Sequence, residues 1–148
     1  MPALGLEVFD TTVQRANSWL KDLMQTMEWQ DRHRAYLALR ATLHALRDRL
    51  TVDEVAHLGA QLPMLIRGLY YEGWDPSQKP ERIRHKQDFL VEIDQQFIHD
   101  SPVDAEGIAR GVFQLLEARI TEGEIDDIRS VLPAELRDLW PMTPVRQA

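Results

Sequence analysis

Between positions 67 and 75 the chain places Arg67, Tyr70, Tyr71, Glu72, Trp74 and Asp75, three aromatic rings and both signs of charge within nine residues. Such side chains offer a large contact area with few rotamers to freeze, so this segment is a candidate recognition surface or the wall of a cleft. A structural reading competes with it: Tyr70 and Trp74 close a junction while Glu72 meets a nearby arginine or helix end. A second set, His33, Arg40, His44 and Arg47, recurs at heptad-like spacing, and residues 31–50 carry five Arg against two Asp. This basic stripe suits an acidic partner or phosphates, or a solvated face docked on the acidic part of the same protein.

Other chemistries find little support. The sequence is read as lacking the His-x-x-x-His or Glu-x-x-His pairing of helical metal sites, with His85 and His99-Asp100 too scattered to substitute, so no metal is expected. The acidic run Glu122, Glu124, Asp126 and Asp127 lies in the first turns of a helix, where carboxylates complement the macrodipole, and it lacks the loop glycine of a calcium hand. There is no Gly-x-Ser-x-Gly and no phosphate-cradling glycine loop, since the glycines are isolated. Absence of cysteine excludes disulfides, thiolate metal sites and a thiol nucleophile. The expectation is a protein that is not an enzyme and holds no cofactor. A net charge of −7 argues against nucleic acid. No apolar run reaches the roughly 18–20 residues of a membrane span, and no leader is evident, so a cytoplasmic location is expected.

The elements that position these residues repeat. A shift of 70 positions lays Arg40 on Arg110, Arg49 on Arg119, Thr51 on Thr121, Glu54 on Glu124, Leu62-Pro63 on Leu132-Pro133 and Arg67 on Arg137. Nine identities fall in the 35 positions from Tyr36 to Tyr70, where about two are expected by chance. Upstream, Trp19 meets Phe89 and Leu23 meets Ile93. The fold expected is all-α, a single domain over 1–148 built from two tandem pseudo-equivalent repeats, 10–71 and 80–140, of about four helical segments each. Residues 72–79 are an ordered loop anchored by Trp74, and 141–148 an extended tail.

Within each repeat the periodicity is local and specific. A first helix starts near Asp10 with a capping box at Thr11 and Gln14, and buries Phe9, Val13, Ala16, Leu20, Leu23 and Met27 along one stripe. A second, about 31–49, carries Tyr36, Leu39, Leu43, Leu46 and Leu50, flanked by alanines that let a neighbour approach. Thr51 with Glu54 and Thr121 with Glu124 read as capping boxes, each with its hydrophobic staple. Pro63 and Pro133 open short fourth helices, 63–71 and 133–140, and the second repeat opens with a helix at 81–98 and a cap at Ser101-Pro102. Arg49, Arg67, Arg119 and Arg137 are expected to cap helix C-termini or bridge helices.

The run Gln61-Leu62-Pro63-x-x-Ile66-Arg67-Gly68-x-Tyr70-Tyr71-Glu72-Gly73-Trp74-x-Pro76, followed by Phe89-Leu90, resembles the bacterial domain-of-unknown-function family number 2267, over roughly Trp19 to Trp140. The resemblance implies a small, all-helical, cytoplasmic bacterial protein and carries no catalytic residues with it. The function expected is a scaffold or protein-interaction module that self-associates, with Arg67–Asp75 as its contact surface. The alternative is a small-ligand binder using a cleft between the halves lined by Arg67, Tyr70, Tyr71 and Trp74.

Overall fold

A computed structural model describes residues 5–78, 85–97, 99 and 102–141, and among these the regular elements are all helical. The long helices are α1 (Glu7–Met27), α2 (Arg32–Arg47) and α6 (Ala105–Arg119), and the shorter ones α3 (Val52–Gln61), α4 (Met64–Tyr71), α5 (Lys86–Gln95), α7 (Glu122–Val131) and α8 (Ala134–Arg137). A single 3₁₀ turn, Pro76–Gln78, follows α4. The expected tail beyond residue 141, the start of the 81–98 helix and the Ser101 cap lie outside the described residues.

Local chemistry sets most boundaries. Asp31 caps α2 by accepting from the amides of His33 and Arg34, and Thr51 and Thr121 cap α3 and α7 by accepting from the amides of Glu54 and Glu124. Four starts differ from expectation. Helix α1 begins at Glu7, a turn before the Thr11 box, and its cap residue Leu6 supplies no side-chain bond. Thr12 instead accepts from the Leu65 amide and fastens α1 to α4. Helix α6 begins at Ala105, capped by Asp104 bonding the Gly107 amide, with Pro102 and Val103 outside the helix. Pro63 and Pro133 occupy the cap position rather than the first turn, and α8 closes after four residues.

Packing is centred on α2 and α6. Ala35, Ala38, Leu39, Ala41, Leu43, Ala45 and Leu46 are buried on α2, as are Ile108, Ala109, Gly111, Val112, Phe113, Leu115 and Leu116 on α6. Small residues let the helices approach closely: a Cβ on Gly111 would lie 2.7 Å from Met27 Sδ. α1 packs on α6 and α2 on α5, so the leading helix of each half lies against the long helix of the other. The stripe of α1 is buried only from Ala16 onward, through Trp19 and Leu23, while Phe9 and Val13 are 59% and 48% exposed. The α1 helix is 21 residues long, about 30 Å, and its buried residues begin only at Ala16.

Positions related by the 70-residue shift exchange partners. Arg49 pairs with Glu92 and lies 5.2 Å from the Phe89 ring centre. Arg119 pairs with Asp22 and lies 5.7 Å from that of Trp19. Both arginines thus bridge halves, as expected of them, and Arg67 caps α3 through the carbonyls of Gly59, Ala60 and Leu62.

Candidate functional site

The segment singled out for recognition is woven into the first half. Tyr70 is fully buried and donates to the Val55 carbonyl at 2.9 Å, and burial holds its phenol protonated far above the usual range. Tyr71, half-buried, reaches the same carbonyl at 3.4 Å and lies so close to α3 that a Cβ on Gly59 would sit 2.5 Å from its hydroxyl. Trp74 is half-buried against Tyr71, with ring centres 5.7 Å apart, and Gly73 makes the turn before it at φ +75°. Asp75 accepts from the Ser77 amide and hydroxyl. Arg67, Tyr70 and Tyr71 close α4 onto α3 of their own half, and Tyr70, expected to line a cleft, is instead fully buried in the core. The reason is a helix-to-helix turn too short to carry α4 away from α3.

The basic stripe meets α4, not the acidic second half. His44 donates through Nε2 to the Leu69 carbonyl at 2.6 Å, Arg47 to those of Tyr70 and Glu72 at 2.8 and 2.9 Å, and Arg40 to the Glu72 carboxylate at 2.9 Å. Cations here satisfy the orphan carbonyls and the negative end of the helix. Burial lowers the His44 pKa, favouring the neutral ring with its proton on Nε2. His33 is exposed and stacks on Tyr36. Gln114 and Glu117 stand where the shift would repeat His44 and Arg47. The Glu72-Gly73-Trp74 turn and its clasp on α2 are therefore paired features of the first half.

Sequence reasoning passed over a third cluster. Glu54 and Glu124, the two capping-box acids, face each other where α3 meets α7, and with His57 their ligand atoms all lie within 4.8 Å of one another. Glu124 is only 7% exposed, and its Oε2, like that of Glu54, meets no hydrogen-bond donor. Two carboxylates so close repel by about 3 kcal/mol at an effective dielectric near 20. Burial first, then the Glu54 charge, push the Glu124 carboxyl up to about pKa 7. His57 Nδ1 stands 3.6 Å from Glu54 Oε1, and Asp127, the position matching His57, adds its field to Glu124. Gln61 bonds both the hydroxyl and the amide of Thr121, locking the seam. The legible signal was Glu54-Val55-Ala56-His57, a Glu-x-x-His turn that places both side chains on one helix face.

An open apolar face forms the fourth feature. Leu6, Phe9 and Val13 continue the buried stripe of α1 into solvent, and Val8, Met64 and Leu65 are exposed beside them. Clefts of about 380 and 350 Å³ flank this face, one between α1 and Met64, the other lined by Ala16, Leu20, Tyr36, Leu65, Leu69 and Glu72. Of the six side chains first singled out for binding, Glu72 alone is among these lining residues.

No helix among the described residues is long and apolar enough to cross a membrane. A search of curated proteins finds no match. The family model described as uncharacterized conserved protein (DUF2267) matches residues 16–139, from the buried part of α1 to the end of the α8 region, and the chain belongs to that family.

Proposed function

We propose that the protein is a non-enzymatic interaction module that self-associates through the open face of α1 and α4. The observation that carries this reading is the α1 stripe itself, whose apolar period runs from the core out through Val13, Phe9 and Leu6 with no partner among the described residues. Contiguous exposed apolar side chains mark contact surfaces, and the two flanking clefts offer sockets for a partner's side chains. A twofold arrangement of identical faces would cover both stripes at once. The contact surface moves accordingly from Arg67–Asp75, where Arg67, Tyr70, Tyr71, Glu72 and Asp75 bond within the chain, to Leu6–Val13 with Met64 and Leu65. The same reading takes the halves as products of an internal duplication, supported by the partner exchange of Arg49 and Arg119, and places the protein in a bacterial cytoplasm.

Light scattering after gel filtration at high micromolar concentration tests it. The chain should run as a dimer, and Phe9→Ser with Val13→Ser should run as a monomer with an unchanged helical circular dichroism spectrum. A monomeric parent chain would overturn the proposal. The second reading, a small apolar ligand, rests on the 350 Å³ cleft, of a size that suits one. Native mass spectrometry of the purified protein distinguishes it by a stoichiometric mass increment.

A further inference from the structure

Glu54, His57 and Glu124 have no role in that surface. They converge from two helices that are distant in sequence, and their donor atoms lie within 4.8 Å of one another. One imidazole nitrogen and two carboxylates are the mixed nitrogen and oxygen set that zinc and similar divalent ions take, with three protein ligands and one position left for water. Glu54 Oε1 and His57 Nδ1, 3.6 Å apart, stand close to the roughly 3.3 Å edge of a tetrahedron with bonds of about 2.0–2.1 Å. His57 is 60% exposed, so its ring is free to turn inward and solvent can supply the remaining ligand.

A second observation points to an ion rather than to a chance gathering of acids. The Glu124 carboxylate is withdrawn from water yet leaves Oε2 without a donor while facing a second carboxylate. Such an arrangement is costly unless a positive charge or a proton sits between the two groups. Among the described residues no Arg or Lys pairs with either carboxylate; the nearby charged groups are His57 and the further acid Asp127. We infer that Glu54, His57 and Glu124 bind one divalent cation of the zinc class, which would tie α3 of the first half to α7 of the second. The two positive charges of one such ion would balance the two carboxylates, and the site would be neutral.

The test is a titration of the full chain, stripped with chelator, with Zn²⁺ by calorimetry and with Co²⁺ by visible absorption. One ion should bind, the cobalt spectrum should be that of a four-coordinate nitrogen and oxygen site, and the melting temperature should rise with added Zn²⁺. His57→Ala, at an exposed position, and Glu124→Gln, which keeps the shape of the side chain, should both weaken binding by no less than the roughly 10–100-fold that loss of a mere outer partner costs. Melting curves in chelator confirm that both variants fold. Absence of binding by the parent chain would overturn the inference, as would unchanged affinity in either folded variant, which would place the ion elsewhere, for example at the exposed His85 and Glu135 pair.

Discussion

A carboxyl group in the first turn of a helix is ordinarily stabilised as the anion, by about 0.3–1 kcal/mol. Glu124 sits in such a turn, yet its acidity moves the other way, because burial beside Glu54 outweighs the helix dipole. A carboxyl raised from 4.5 to about 7 binds its proton more tightly in the folded than in the unfolded chain. Below the unfolded value the group costs nothing; as pH climbs between the two values the folded state loses stability, and the loss is complete above the upper one. Glu124→Gln removes the titration and can donate to Glu54. In chelator it should therefore melt higher than the parent at about pH 8, with the gap closing by about pH 5. Urea melts at the two pH values check this, and equal stability differences at both would show that the carboxylates are well solvated.

Among the elements, α3 and α7 begin with the same device but do not depend on it equally. Thr51 holds the Glu54 amide and nothing further is recorded for its hydroxyl. Thr121 holds the Glu124 amide and also accepts from the Gln61 side chain, whose carbonyl takes the Thr121 amide. Thr51→Ala should cost about 1 kcal/mol in denaturant melts. Thr121→Ala should cost more, about 2 kcal/mol, since one further hydrogen bond between halves is lost. Equal losses would mean that the Gln61 link contributes nothing. The same logic explains why the aromatic segment is not a surface: α4 needs its C-terminal carbonyls covered, and His44, Arg47 and Arg40 on α2 draw Leu69 to Glu72 against them.

Across the whole molecule the two halves hold each other by exchanged contacts, α1 on α6 and α2 on α5, with α3 against α7. The reciprocal ion pairs differ in depth. The Arg49 side chain is 1% exposed and that of Arg119 29%. Arg49→Ala should destabilise by about 2 kcal/mol, because the buried guanidinium is lost and the Ala45 carbonyl loses a partner inside the protein, while Glu92, 38% exposed, stays in reach of water. Arg119→Ala should cost about 1 kcal/mol or less, as expected of a solvated pair. Thermal or urea unfolding of the two variants side by side measures the difference, and a larger loss for Arg119 would contradict the assigned burial.

Helix identity and the order of elements were legible in the chain because they rest on local rules: apolar side chains every three or four residues, Thr-x-x-Glu starts, and prolines that cannot donate. The match of Arg49 with Arg119 at a 70-residue shift was visible in the chain, but whether they cap helices or bridge them was not. Only the tertiary structure decided which apolar positions are core, since the α1 period continues unbroken past the point where neighbours end and so cannot tell Ala16 from Phe9. It also decided that the Tyr70–Trp74 segment folds inward, for its aromatic and charged residues suit a contact surface and a helix clasp equally well. And it alone placed Glu54 beside Glu124, because two residues 70 apart, each fully explained as a helix cap, reveal nothing of each other until α3 and α7 meet.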